Sequence, residues 1–208
     1  MIRTDRDVAL GLKALVKLDR RLAPIVAACP DVPLRWAPPG LEGIAQIVTA
    51  QQVSKASAAA IFRRTQLLVA PFDAETLLAT PDEALRRVGQ SRAKIATLKR
   101  LAQAVAEGLD LEGMAERPFA DGLCELTALK GIGPWTAEAF LLFCAGHPDV
   151  FPAGDLALQV AVGDVAGLDH RPSEKEVRLV TAEWSPHRSV AARLMYEHYR
   201  TVAGRAAI

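Results

Sequence analysis

The sequence predicts an all-α fold, and three observations carry that prediction. Apolar residues recur at three- and four-residue spacing along most of the chain. Ala, Leu, Arg and Glu, all strong helix formers, fill those stretches. Nowhere is an alternation of β-branched residues sustained long enough for a strand. In chain order the periodic segments are residues 8–22, 41–53, 56–69, 95–105, 119–129, 137–144 and 190–199. Breakers divide them. Trp36-Ala37-Pro38-Pro39-Gly40 reads as a linker, because its prolines and glycine do not sit inside a helix. Pro71, Pro81, Pro118, Pro134, Pro152, Pro172 and Pro186 mark further boundaries. Thr80-Pro81-Asp82-Glu83 reads as an N-cap, a first-turn proline and acids that complement the helix dipole. Ser173 and Glu176 have capping-box spacing. Roughly ten short helices joined by brief connections are expected.

Composition bounds the function classes. A chain of 208 residues, half of it hydrophobic, suits one domain or two small interlocking subdomains. No secretory or membrane-spanning stretch is present, so a soluble protein of the cytoplasm, or of the nucleus in a eukaryote, is expected. Cys29, Cys124 and Cys144 are odd in number and far apart, which supports neither a disulfide framework nor a zinc or iron–sulfur site. They read as small buried hydrophobes. A net charge of +1 counts mildly against nucleic-acid binding. Its distribution is more telling. Arg86, Arg87, Arg92, Lys94, Lys99 and Arg100 follow one another with no acid among them, a run that suits a solvated helix face or a nucleic-acid surface.

The most informative segment is Leu129-Lys130-Gly131-Ile132-Gly133-Pro134-Trp135-Thr136-Ala137, flanked by two periodic stretches. Gly-Ile-Gly between two helices makes a helix–hairpin–helix. Glycines permit positive φ and close approach of another backbone. The first amides of the following helix lack intrahelical partners and favour a phosphate oxygen, aided by the helix dipole. Pro134 in the first turn sacrifices only an N–H that had no partner there. A tight helix–helix turn with no ligand fits the same residues when they are read alone.

A second motif, a fixed distance further along the chain, changes that balance. LKGIGPWTA precedes Asp149-Val150-Phe151-Pro152-Ala153-Gly154-Asp155-Leu156-Ala157-Leu158, and together they resemble the hairpin and Gly/Pro-Asp loop of the helix–hairpin–helix–GPD superfamily of DNA glycosylases. Within it the chain looks most like the DNA-3-methyladenine glycosylase II family. Ile47–Ser54 resembles that family's IVxQQVS helix, Val88–Lys94 its GxSxxK turn, and Trp184–Ala191 its WxPxRSxA helix. The matches run in family order from about residue 41 to 200, most of the chain.

The resemblance implies a monofunctional glycosylase of base excision repair. It would flip an alkylated base of the 3-methyladenine or 7-methylguanine type out of duplex DNA and hydrolyse its N-glycosidic bond. Asp155 would be the catalyst, since a carboxylate stabilises the positive charge that builds on the deoxyribose and can orient or deprotonate the attacking water. An aspartate at a helix start is also an ordinary N-cap, and both roles can coexist. Asp149 is the rival carboxylate, outside the motif position. Relatives that cleave the strand carry a Schiff-base lysine where this chain has Trp135, so an abasic product without lyase activity is implied. Trp135 would line the base pocket, with Tyr196 and Trp36 as further candidates; relatives carry a Trp facing the aspartate where Tyr196 stands. Phe140 is read as core.

DNA contacts are implied at Gly131, Gly133 and Thr136 of the hairpin and at Gln52 and Ser54 of the QQVS turn. Gln52 is the candidate wedge that fills the vacated stack. Arg92, Lys94 and Arg188 are candidates for backbone phosphates, although Arg188 could instead anchor a buried carboxylate. Backbone carbonyls of Thr127, Leu129 and Ile132 would hold a structural Na+ or K+; catalysis would need no cofactor, and the cysteines exclude the iron–sulfur cluster of some relatives. The implied architecture is bilobal. Residues 1–40 with 156–208 form a terminal lobe, residues 41–155 a central lobe containing the hairpin (129–137), with the active cleft between lobes. Double-stranded DNA is the implied partner, no membrane is involved, and a monomer is expected. Two rivals stay open: a same-fold glycosylase for uracil, hypoxanthine or another lesion, and a non-catalytic helix–hairpin–helix DNA-binding module. Such a module needs no aspartate after the second helix.

Overall fold

A computed structural model describes residues 1–203. Helices are the regular structure among them: α1 (Asp5–Leu18), α2 (Leu22–Ala28), α3 (Gly40–Ala50), α4 (Lys55–Leu68), α5 (Ala74–Ala79), α6 (Asp82–Arg87), α7 (Arg92–Ala106), α8 (Phe119–Thr127), α9 (Pro134–Phe140), α10 (Leu156–Val165), α11 (Glu174–Thr181) and α12 (Arg188–Ala203). The all-α expectation holds. A π-helical turn, Leu141–Ala145, extends α9. None of the described helices is long and apolar enough to cross a membrane.

Local physics explains where the expected helices shift. The periodic stretch 8–22 breaks into α1 and α2 at Asp19, whose backbone is extended. The Asp19 carboxylate is buried and accepts hydrogen bonds from Trp184 Nε1 (2.9 Å) and from Arg21. Burial alone would raise the Asp19 carboxyl, but the donated hydrogen bonds of Arg21 and Trp184 outweigh it and hold it below the ordinary value. Thr80 is not an N-cap. Pro81 occupies that position, and the Thr80 hydroxyl donates to the Thr76 carbonyl (2.7 Å) at the end of α5. The Ser173–Glu176 capping box forms as expected. Ser173→Ala lowers stability by about 1 kcal/mol, measurable as a shift in the urea midpoint at unchanged m-value.

The chain divides into two compact units, Met1–Trp36 with the described residues from Gly146 onward, and Ala37–Ala145. These boundaries differ from the expected 40/41 and 155/156. Residues 146–155 belong with the termini because backbone and side-chain bonds hold them there: Ile2 N to Gly146 O (2.8 Å), Ser189 N to Pro148 O (3.1 Å) and Val150 N to Ser189 Oγ (2.9 Å). Residues 37–40 join the central unit in the same way, with Ala37 N donating to Phe143 O (3.0 Å).

In the terminal unit Leu15, Leu22, Trp184, Val190 and Leu194 are fully buried. A side chain at Gly11 would meet Val190 Cγ2 at 2.5 Å, so the α1 backbone at Gly11 packs directly on the Val190 side chain of α12. In the central unit α3 is the hub, with Ile44, Ala45 and Val48 fully buried. Gln90 stitches it to its neighbours, its Nε2 donating to Thr49 Oγ1 (2.9 Å) on α3 and Thr65 Oγ1 (3.0 Å) on α4. Cys29 and Cys144 are buried as expected, whereas Cys124 is exposed on α8. Burial pushes the Cys144 thiol up to about 12, as a small apolar side chain in the core requires.

Candidate functional site

The central unit builds the hairpin. α8 ends at Thr127, Leu129 N donates back to Leu126 O (3.1 Å), and Ile132 N closes on Leu129 O (2.9 Å). Two glycines in this turn have different reasons to be there. Gly131 has φ +106, and a Cβ on it would lie 2.0 Å from Thr97 Oγ1 on α7, so both backbone and space exclude a side chain. Gly133 has φ −88, caps α9 and has no atom within 4 Å of an added Cβ. Its open face lies at the head of α9, whose first residue, Pro134, brings no N–H of its own. Ile132 is buried and Trp135 half-buried at the head of α9.

The end of α3 is tied to that helix. Gln51 Nε2 donates to Thr136 Oγ1 (2.9 Å), and Thr136 is buried. The next residue, Gln52, is exposed with φ +56, a left-handed conformation uncommon outside glycine. Lys94, on the first turn of α7, donates from Nζ to the Thr49 carbonyl (2.7 Å). Thus the first turns of α7 and α9 both bind the turn that presents Gln52.

Several of the expected DNA-contact residues have partners within the fold. Thr136 Oγ1 accepts from Gln51 Nε2, and Ser54 caps α4 by accepting from Ser57 N (3.2 Å). Lys94 neutralises a helix-end carbonyl, and burial pushes its ammonium below the ordinary value. Lys99 does the same for α5, donating to the carbonyls of Leu77, Leu78 and Thr80 at 2.6–2.8 Å. Much of the basic run is therefore structural. Arg92 remains exposed at the start of α7, and Arg100 braces the hairpin through Lys130 O (3.2 Å).

The terminal unit builds the carboxylate site. Asp155 follows Gly154, is 5% exposed, and caps α10: Oδ1 accepts from Ala157 N (2.9 Å) and Leu158 N (3.3 Å). Oδ2 accepts from the Tyr196 hydroxyl (3.1 Å). Tyr196, expected as a pocket wall, is only 3% exposed and is bonded to the carboxylate instead. Trp36 is exposed, with its ring edge against Gly146. Sequence reasoning missed the layer behind Tyr196. The Arg35 guanidinium lies 5.8 Å from the tyrosine ring centroid and forms an ion pair with Glu197. Arg193 is fully buried and donates to Leu34 O (2.8 Å) and Ser189 O (3.0 Å). Burial first, and the charge of Arg35 second, push its guanidinium down to about 10.

Arg188 anchors a carboxylate rather than a phosphate. Its Nε and Nη2 meet Asp149 Oδ1 and Oδ2 at 2.8 Å each, and Ser185 Oγ donates to Asp149 Oδ2 (2.8 Å). Asp149 is thereby committed to structure. Burial would raise its carboxyl, but the Arg188 and Ser185 hydrogen bonds outweigh that and hold it below the ordinary value. Because the folded value lies lower than the unfolded one, the pair's full stabilisation is present above the unfolded carboxylate range. It fades as pH falls through the folded value. Arg188→Ala costs about 2–3 kcal/mol at neutral pH, and Asp149→Asn flattens the acid limb of a melting-temperature profile.

The family profile of HhH-GPD superfamily base excision DNA repair proteins matches residues 45–187. DNA-3-methyladenine glycosylase 1 of Schizosaccharomyces pombe is 33% identical over 156 residues, 73% of this chain and 68% of that protein. The chain spans 31% of a putative DNA-3-methyladenine glycosylase of Bacillus subtilis, 35% identical over 89 residues, 42% of this chain. Among solved structures, a DNA-3-methyladenine glycosidase from Bacillus halodurans superposes with a TM-score of 0.85 at 30% identity, covering 95% of this chain and 92% of that one. A 3-methyladenine DNA glycosylase from Schizosaccharomyces pombe, in complex with abasic DNA, has a TM-score of 0.77 at 27% identity over 93% and 96% of the two chains.

Proposed function

The chain belongs to the HhH-GPD superfamily of base excision DNA repair proteins, and on that footing we propose that it is a DNA glycosylase that hydrolyses alkylated bases from duplex DNA without cutting the strand. The observation that carries this reading is the Asp155 carboxylate, buried at the head of α10 and fixed through both oxygens. N-glycosidic cleavage leaves positive charge on the deoxyribose. A fixed anion in a site of low dielectric stabilises that charge with little reorganisation. Alkylation at N3 or N7 of a purine makes the base cationic and so a good leaving group, and the relatives' names specify 3-methyladenine. The cationic base would stack on an electron-rich ring, for which Trp135 is the candidate.

The hairpin supports duplex binding. Gly133, with no atom within 4 Å of an added Cβ, leaves room for a phosphate at the head of α9, and Arg92 adds an exposed cation at the start of α7. Gln52, with its left-handed backbone, is the candidate wedge. The backbone strain there, about 1 kcal/mol or more, is retained where a side chain must project from a helix end. Carbonyls at the end of α8 would suit a structural Na+ or K+ at Thr127, Leu129 and Ile132. The Leu129 oxygen already takes one amide and would offer its second lone pair. A monomer is the reading for the assembly, and Trp135, which has no amine for a Schiff base, supports hydrolysis without strand cutting.

The test is release of free base from methylated duplex DNA. The expected products are 3-methyladenine or 7-methylguanine and a strand that stays intact until treated with alkali. Release from uracil or hypoxanthine duplexes alone would replace the lesion class and keep the chemistry. No release from any of them, with duplex binding intact, would leave a binding module.

A further inference from the structure

Asp155 does not hold its own geometry, and the geometry points to Tyr196 as the positioning residue that sets the catalytic carboxylate, supported by Arg35 through its ring. This rests on the glycosylase reading and adds a role that the hairpin and the aspartate do not imply. The two oxygens of Asp155 are held differently. Oδ1 is bound by amides of its own helix, so it stays in place as long as α10 exists. Oδ2 is bound by the Tyr196 hydroxyl on α12, a residue 41 positions away. Amide capping through one oxygen places that oxygen and does not by itself set the plane of the carboxylate. A second donor on the other oxygen fixes the plane. A hydrogen bond to a charged acceptor is worth more than one between neutral groups, and the buried setting strengthens it.

Tyr196 is in turn braced. It is almost fully buried. The Arg35 guanidinium sits within cation–π range of its ring and is paired with Glu197, the next residue of α12. Arg35 reaches that place from a backbone at φ +49, where a non-glycine residue is strained. The preceding carbonyl, Leu34 O, is pinned by the fully buried Arg193. Buried charge of this kind is costly to maintain, and here it fixes the segment that carries Arg35. A tyrosine whose hydroxyl bonds the carboxylate, with a cation over its ring, is a poor platform for a cationic base. That separates the positioning role from the pocket-wall role expected for this position.

Tyr196→Phe keeps the ring and removes only the hydroxyl, so it distinguishes the two. Under single-turnover conditions with 7-methylguanine duplex, the rate of base release falls about ten- to a hundredfold, the range for one hydrogen bond to a charged group. The Kd for abasic duplex stays within about twofold, and the thermal unfolding curve keeps its single transition. In an Asp155→Asn background the same Phe substitution changes the residual rate little, because the group it positions is gone. Arg35→Met produces part of the Phe effect on rate, again without weakening abasic-duplex binding. A Phe variant as fast as wild type, combined with a slow Tyr196→Leu, would make Tyr196 a pocket wall and overturn the proposal. So would a Phe defect that persists undiminished in the Asp155→Asn background. A wild type that releases no base from any methylated duplex overturns the glycosylase reading itself, and the positioning role falls with it.

Discussion

Asp155→Asn abolishes most base release and leaves a folded protein that still binds abasic duplex. The substitution is isosteric and keeps an oxygen able to accept from Ala157 N and Leu158 N, so the α10 cap survives and stability changes by less than about 1 kcal/mol. What disappears is the negative charge. Removing one preorganised electrostatic partner of a developing charge commonly costs a factor of about 100 to 1000 in rate, and a full carboxylate in a buried site belongs at the upper end. Single-turnover rates on methylated duplex, with abasic-duplex Kd and a melting curve measured on the same preparation, check all three parts. Asp155→Ala adds a stability loss of about 1 kcal/mol, since the cap goes as well. If Asp155→Asn released base at the wild-type rate, Asp155 would be an N-cap and nothing more, and Asp149 would not replace it, because Arg188 and Ser185 already occupy both its oxygens.

Where the sequence is legible, the information is local. Amphipathic spacing marks helices because each turn must bury one face, and the Ser173–Glu176 box lies within one turn. The hairpin and Asp155 are legible for the same reason, since Gly131 and Gly133 sit in the turn between α8 and α9 and Asp155 at the head of the next helix, α10. Partners far apart in sequence are not. Nothing near Arg35 announces that it will face Tyr196 and Glu197, some 160 positions on, from a left-handed backbone. The basic run from Arg86 to Arg100 reads as one surface feature. Yet Lys94 and Lys99 turn inward to helix-end carbonyls, which a long side chain does whenever an unpaired carbonyl lies within its reach. Tyr196 is legible as a position but not as a role: its hydroxyl needs a partner once buried, and only the fold supplies Asp155 as that partner. The unit boundary escapes the sequence for a similar reason. Pro148, Asp149 and Val150 are fastened to Arg188 and Ser189, about forty residues later, and no turn signal reports that.

The two hairpin glycines separate stability from binding. Gly131→Ala places a methyl 2.0 Å from Thr97 Oγ1 and forces φ +106 on an L-residue. The backbone term is about 1–2 kcal/mol and the clash about 1–3 kcal/mol. A loss of about 2–5 kcal/mol results, seen as a fall in melting temperature of roughly 4–20 °C. Thr97 cannot easily yield, because its hydroxyl donates to Ala93 O (3.0 Å) and it is buried on α7. Gly133→Ala meets no atom within 4 Å and keeps an ordinary φ of −88. Its stability cost is that of a poorer N-cap, about 0.5–1 kcal/mol. If the open face above α9 is where a phosphate approaches, the added methyl stands in its way. The affinity for duplex DNA then falls about ten- to a hundredfold, the equivalent of one lost charge-assisted hydrogen bond. Melting curves and duplex titrations on the two variants therefore move in opposite patterns, Gly131→Ala chiefly in stability and Gly133→Ala chiefly in binding. A Gly133→Ala protein that binds duplex as tightly as wild type would remove the hairpin from the DNA interface and leave it as a turn between α8 and α9.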